Sequence, residues 1–258
     1  MKNKAAKQAV FRKFINIATA ASARLHIIVG NSKVGTIPYF SINPGQGFLL
    51  IESPASKHYG EYVGNMPGSC AGVCQGCGNV EPGKKCPCYA INDCKRHNNS
   101  AGLACNDNTY LAMREPARLA DEINAWLAAN EPRYFRIHEA GEFFSYRYFL
   151  LWIEIIRNNP ETRFYFYTKH SDYLARYAAE YGELPGNLAA LVSIWHDTVS
   201  NPTGAAEFIY DDGTEEYVKY IRHCPAVDAN GHKTGVTCAQ CKMCMRAKPG
   251  DKIAVYAH

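Results

Sequence analysis

A chain of 258 residues, 47% hydrophobic and 20% charged, is long enough to bury a full core without covalent staples. That argues against a small disulfide scaffold and against a disordered low-complexity chain. The net charge of +4, from 28 Lys and Arg against 24 Asp and Glu, is too mild to dictate a polyanionic partner by itself. The eleven cysteines are an odd number in a chain with no need of staples, which points to reduced thiols and a cytoplasmic setting.

Residues 1–27 read as a basic amphipathic helix. Ala6, Val10, Phe14, Ile17 and Ala21 recur at helical spacing. The first thirty residues carry Lys2, Lys4, Lys7, Arg12, Lys13 and Arg24 and no acid, which makes this helix the expected contact for nucleic acid or an acidic partner. Its apolar run is short and is broken by Asn16 and Thr19, so a secretory signal is the weaker reading. No stretch approaches the ~18 apolar residues of a membrane span, and no membrane association is expected.

Residues 28–108 form a cysteine-rich N-terminal region. Gly and Pro punctuate short apolar runs such as Tyr39–Ile42 and Phe48–Ile51. The turn around Asn31 and Lys33 is either an anion- or cofactor-binding turn or a structural one. Cys70, Cys74, Cys77, Cys86, Cys88, Cys94 and Cys105 then follow in polar, Gly-rich sequence. Too few apolar residues are present there to hold the segment without ligands. Cys70-x3-Cys74-x2-Cys77 has the spacing of a three-thiolate iron–sulfur site, in which one iron stays open and S-adenosylmethionine is a candidate ligand. Gly76 stands where an aromatic residue is usual. Seven thiols exceed what one cubane needs, so one or two clusters are expected here, and buried free thiols are the bland alternative.

Residues 109–222 have the pattern of βα repeats. A helix is expected over Tyr110–Asn130, then strands at Tyr134–His138, Arg163–Thr168 and Leu188–Trp195, with helices at Tyr146–Arg157 and Asp172–Tyr181 between them. A weaker strand follows at Phe208–Tyr210 and another at Ile253–Tyr256. Strands alternating with helices build a parallel sheet. No Gly-x-Gly-x-x-Gly follows a strand, which disfavours a dinucleotide fold. A full eight-unit barrel takes about 250 residues, and the N-terminal region uses too many of them. The expected fold is therefore a single α/β domain built on a partial (β/α) barrel, with cysteine-rich cluster-binding loops at both ends. Trp126 and Trp152 are expected in the core. Chemistry in such folds gathers at the C-terminal ends of strands. There, His138, Glu139, Glu142, Lys169 and His196 are the candidate catalytic residues, with Gly141 providing a tight turn or cofactor contact.

Residues 223–258 form the C-terminal cluster segment. Cys238-x2-Cys241-x2-Cys244 places three thiolates on one tight loop, and Cys224-Pro225 supplies a fourth from a distance, the ligand pattern of a ferredoxin-type [4Fe-4S] cluster. A structural zinc site is the competitor, although zinc ligands usually come as two cysteine pairs. Lys242, Arg246, Lys248 and Lys252 would offset the negative charge of a thiolate-bound cluster.

Several of these residues together resemble the phage gene product 88 family. They are Asn31-Ser32-Lys33 with Gly35, the run closing on Cys88-Tyr89-Ala90, Arg136–Ser145 (RIHEAGEFFS), Phe164–Lys169 (FYFYTK), and Cys238–Cys244 followed by Val255 and His258. The likeness covers most of residues 28–258. It implies a phage or mobile-element protein distantly related to radical SAM barrels, and it speaks to fold and cluster content more than to chemistry. The cysteine run here is longer than the family pattern, which raises the expected count to two or three [4Fe-4S] clusters. The expected function is a radical SAM-like or other reductive iron–sulfur enzyme acting on a small-molecule substrate or fed by an electron donor. A non-enzymatic electron carrier or nucleic-acid-binding cluster protein is the second reading, and a zinc-stabilised binding protein the third.

Overall fold

The computed structural model describes residues 23–43, 101–194, 201–211, 213–214 and 216–256. Among them are eight strands: β1 (Ile27–Asn31), β2 (Gly35–Phe40), β3 (Tyr134–Ile137), β4 (Arg163–Thr168), β5 (Leu188–Ile194), β6 (Ala206–Asp211), β7 (Arg222–His223) and β8 (Lys252–Tyr256). The helices are α1 (Ala101–Arg114), α2 (Pro116–Asn130), α3 (Tyr146–Asn158), α4 (Ser171–Tyr181) and the single turn α5 (Cys238–Cys241). Short 3-10 turns cover Glu216–Tyr220 and Cys244–Arg246.

These residues fall into two compact units. Of the described residues, the first takes 23–26, 40–43, 101–123 and 139–151; the second takes 27–39, 124–138 and those from 152 to 256. In the first, α1 is tied to the chain around it by side chains. Asn108 Nδ2 donates to the carbonyls of His26 and Ser41, each at 2.9 Å, and Asn43 N donates to Thr109 Oγ1 at 2.8 Å. Phe143 packs its ring edge-on against Phe149 at 5.3 Å.

The second unit holds the sheet, whose strand order is β1-β2-β3-β4-β5-β6-β8-β7. β3, β4, β5, β6 and β8 run parallel in that order, and β7 pairs parallel with β8. Each βα unit sets its strand beside the previous one. A right-handed crossover repeated in this way returns every helix to the same face. The sequence RFYFYT shows the consequence. Phe164 and Phe166 are fully buried, and Phe164 packs against Phe135, which in turn meets Trp126 and Trp152. Tyr165 and Tyr167 point to the opposite face. There they join Val34, Ile37, Ala189, Leu191, Met245 and Ala247 in a cluster packed by Cys238, Met243 and Cys244. Helices thus pack on one face, and the C-terminal cysteine segment packs on the other, where side chains of the hairpin strands join it. Tyrosine suits the second face because its ring fills volume while its hydroxyl keeps a polar handle.

Four expectations need correction. The helix expected to end at residue 27 does not reach it, since residues 23–26 are irregular and Ile27 begins β1; the remainder of that segment lies outside the described residues. The single helix expected over 110–130 is two helices, broken at Glu115 because Pro116 disfavours helical geometry in the residue before it and suits the first position of a new helix. Residues 27–40 form a hairpin within the sheet, so they do not belong with the cysteine-rich region to which 28–108 were assigned. Cys105 sits inside α1 and is buried at 3% exposure, in a regular helix rather than in a ligand loop. No helix among the described residues is long and apolar enough to cross a membrane.

Candidate metal centre

The C-terminal cysteines are placed by three local devices. Thr237 caps α5 in a capping box with Gln240, and its amide donates to Gln240 Oε1 at 2.8 Å. This fixes a single helical turn with Cys238 and Cys241 at positions i and i+3, hence on one face. Lys242 then takes a left-handed conformation, φ +60°, which reverses the chain and starts the turn at Cys244. Cys224 extends β7 by donating its amide to Ala254 O on β8 at 2.7 Å.

The N-terminal hairpin anchors the same segment. Asn31 Oδ1 accepts the amides of Lys33 and Val34, both at 2.8 Å, which shapes the turn. The carbonyls of Lys33 and Val34 then accept from Cys238 N at 3.0 Å and Ala239 N at 3.1 Å. Gly35 has φ +71°, and a Cβ placed on it would lie 2.8 Å from Thr237 Oγ1 and 2.9 Å from Ala239 Cβ. Asn31, Lys33 and Gly35 therefore form the seat of the cysteine segment.

Two of the thiols, Cys244 and Cys224, are shifted by their surroundings. Burial pushes the Cys244 thiol up to about 12; a hydrogen bond with Tyr167 opposes this, and the charges of Cys224, Cys238 and Cys241 add to it. Cys224 is raised by burial, with the amide of Ala226 opposing, Cys238 and Cys241 raising it further, and Lys33 lowering it. None of the four is in a disulfide. Among the described residues no group of three or more His, Cys, Asp or Glu side chains is arranged to hold a single metal ion.

A buried cation stands behind this group. Arg136 is only 3% exposed, and its guanidinium lies 5.1 Å from the Tyr167 ring centre. Tyr167 is itself held well above its ordinary value by burial and by Cys244, with Arg136 opposing. The signal for Arg136 was visible as a charge in the otherwise apolar strand YFRI, but its link to the cysteines is tertiary.

The C-terminal edge of the sheet carries polar groups, as strand-end reasoning expects. His138 follows β3, is 3% exposed and adopts φ +58°, a conformation uncommon for histidine. Burial, helped by Arg136, depresses it to about 3, so it is neutral at pH 7. Lys169 follows β4. Glu139 and Glu142 belong to the first unit, where buried Glu142 accepts the Phe143 amide at 2.8 Å. Gly141 has φ +102°, as a tight turn requires. His196, and Cys70, Cys74, Cys77, Cys86, Cys88 and Cys94, lie outside the described residues.

Two further groups on this edge were not among the candidate site residues. His223 Nε2 lies 2.7 Å from Asp211 Oδ2, and its ring stacks on Tyr256 at 4.0 Å. These three residues end β7, β6 and β8, so a His–Asp pair sits directly before Cys224. His170, just past β4, pairs Nδ1 with Asp172 at 3.0 Å and stacks on Tyr173, while its Nε2 is buried with no hydrogen-bond partner among the described residues. The His223–Cys224 dipeptide was a usable signal, but the partner Asp211 could be found only in three dimensions.

The gene product 88 family model matches residues 34–253. This protein belongs to the gene product 88 family. The match runs from the hairpin turn through the cysteine segment to β8. The gene product 88 chain is 26% identical over 231 residues to the Gene 88 protein of Mycobacterium phage L5, covering 85% of this chain and 87% of that one. It is 23% identical to the Gene 88 protein of Mycobacterium phage D29 with the same coverage. No solved structure matches it.

Proposed function

We propose that this gene product 88 protein is an iron–sulfur protein, and that Cys224, Cys238, Cys241 and Cys244 hold one [4Fe-4S] cluster. The observation that carries the reading is the convergence of four thiols, none in a disulfide, from two places in the chain onto one half-buried locus, close enough that Cys238 and Cys241 add to the raised proton affinity of both Cys224 and Cys244. Thiolates that repel one another gain most from a cationic inorganic core. A structural zinc ion held by the same four thiolates, with Zn–S of about 2.3 Å, is the competing reading that counting of zinc against iron and sulfide separates. Arg136 and Lys33 supply buried and near-surface positive charge beside them, which favours the negative charge of a thiolate-bound cluster. The sequential parallel order of β3 to β6 supports a barrel-like wall of the radical SAM kind, because a doubly wound sheet reverses its order.

Cys70, Cys74 and Cys77 hold the second, catalytic cluster in this proposal, with S-adenosylmethionine as its ligand. Such a cluster supplies one-electron reduction when bound. The chain's own residues shape the reaction side: neutral His138, Lys169 and the His223–Asp211 pair line the C-terminal edge, where a small substrate's acidic or hydroxyl groups would be bound and its protons held.

The test is anaerobic purification of the full chain with counting of iron, acid-labile sulfide and zinc, followed by electron paramagnetic resonance of the reduced protein. Cys241→Ser should remove about four iron and four sulfide per chain and leave the remaining cluster signal. Stoichiometric zinc without sulfide overturns the cluster reading. A spectrum unmoved by S-adenosylmethionine overturns the open-iron assignment while leaving the C-terminal cluster standing.

A further inference from the structure

The edge of the sheet opposite His138 and Lys169 carries a different chemistry. The first residues of the parallel strands β4, β7 and β8 are Arg163, Arg222 and Lys252, and Arg133 immediately precedes β3. Two clefts open along this edge. One, of about 320 Å³, is lined by Arg222, Lys242, Arg246 and Lys252 with Cys241, Met243, Ile253 and the single acid Asp251. The other, of about 310 Å³, is lined by Arg133, Arg163 and Arg246 with Tyr134, Met245 and the single acid Glu161. Arg246 lines both, so they adjoin.

Some of this charge is already engaged. Lys252 Nζ pairs with Glu207 at 3.1 Å, Arg163 Nε donates to Met245 O at 3.0 Å, and the Asp251 carboxylate accepts the Lys248 amide at 2.7 Å. Arg222 and Lys242 are in no ion pair among the described residues. Tyr134 forms an aromatic wall with the Arg133 guanidinium 5.5 Å from its ring centre. Burial raises the Tyr134 hydroxyl, but a hydrogen bond from Arg246 and the charges of Arg133, Arg246 and Lys242 outweigh it and lower it overall. Three cations, Arg246, Arg133 and Lys242, thus gather around the Tyr134 hydroxyl at the junction. Tyr220, two residues before Arg222, exposes 79% of its surface with the Lys219 ammonium 5.2 Å from its ring centre.

We infer that these two arginine-rich clefts, joined at Arg246, bind the phosphate backbone of single-stranded nucleic acid. Four of the six cations are arginine, whose planar fork matches phosphate oxygens two at a time. Two adjoining concave sites sharing one cation suit successive phosphates along a strand better than the flat surface an acidic protein offers. The tyrosines at the clefts and beside them provide the sequence-tolerant stacking that single-stranded binding uses. Cys241, a proposed cluster ligand, lines the first cleft, but nucleic-acid binding has a readout separate from metal content. The inference places a nucleic-acid contact on the sheet; the basic N-terminal segment lies outside the described residues.

The test is fluorescence anisotropy of a labelled oligothymidylate with the full-length chain over a range of salt. Wild type should bind with a steep salt dependence. Arg222→Glu combined with Lys242→Gly, which suits the left-handed backbone at residue 242, should weaken binding at least tenfold and flatten the log–log salt slope by about 1.4, the value for two lost single-strand phosphate contacts. Arg176→Ala, at an exposed position of α4, should match wild type and serves as the control for loss of a cation elsewhere on the surface. Circular dichroism and melting confirm that the double variant is folded. Equal affinity and slope for the double variant and wild type overturn the inference. So does full displacement by ATP at equal phosphate concentration, which assigns the clefts to a small phosphate ligand, or by polyglutamate at equal charge, which assigns them to an acidic protein.

Discussion

The seat of the cysteine segment predicts a specific cost for one methyl group. Gly35→Ala must adopt φ +71°, a left-handed backbone that costs an L-residue about 1–2 kcal/mol. Its Cβ also meets Thr237 Oγ1 at 2.8 Å and Ala239 Cβ at 2.9 Å. Neither neighbour can retreat easily, since Thr237 is locked in a capping box and Ala239 N is bonded to Val34 O. Overpacking of this kind costs about 1–3 kcal/mol, for a total of about 2–5 kcal/mol. In a chain of this size each kcal/mol lowers Tm by about 2–4 °C, so a fall of roughly 4–20 °C is expected. Gly204→Ala is the matched reference: its φ is +66°, but nothing lies within 4 Å of the added carbon, so only the backbone cost applies. Adding Ala239→Gly to Gly35→Ala removes one of the two clashes and should recover part of the loss. Differential scanning fluorimetry measures all three, and proteolysis in residues 237–247 should accelerate only in Gly35→Ala. Equal Tm losses for Gly35→Ala and Gly204→Ala would refute the apposition of hairpin and cysteine segment.

Other outcomes follow from the same geometry. His138, depressed to about 3 against about 6.5 when unfolded, binds fewer protons folded than unfolded. Its stabilising share is therefore complete above about pH 6.5 and is lost as pH falls toward 3, at about 1.4 kcal/mol per pH unit at most. His138→Asn tolerates the left-handed backbone and should flatten the urea-stability profile between those limits; an unchanged slope would mean that this imidazole is not buried neutral. Asn187 Nδ2 donates to the carbonyls of Ile156, Asn159 and Thr162 at 2.9, 3.0 and 3.1 Å. Asn187→Ala should cost about 2 kcal/mol in chemical denaturation, and a loss under half of that would show that water replaces the side chain. Thr237→Ala breaks the capping box and should cost about 1 kcal/mol, with faster amide exchange confined to residues 238–241 if the cap acts locally.

Much of the fold was legible because local rules and tertiary packing agreed. The strands at 134, 163, 188 and 252 and the helices at 146 and 171 carry strong periodicity and clear breakers, and each buries the face its pattern indicates. The hairpin at 27–40 was missed because Gly30, Gly35 and Pro38 read as loop punctuation. The better signal was two β-branched runs, IIVGN and GTIPYF, flanking an Asx turn. The helix break at Glu115 was overlooked because the apolar spacing continues across it, although Pro116 marked it.

Sequence alone determined that Cys238, Cys241 and Cys244 lie close together at the C-terminus, because a helical turn and a fixed spacing oblige them to share a loop. It also determined that strand ends would be polar, since apolar runs stop where side chains meet solvent or a site. Only the tertiary structure decided that Asn31–Gly35 seats that loop, that Arg136 and Tyr167 stand behind it, that His223 meets Asp211, and that cations from four separate strand starts line one edge. Those are contacts between residues tens to hundreds of positions apart, and a chain's local pattern constrains which face a residue takes but not which distant residue will face it.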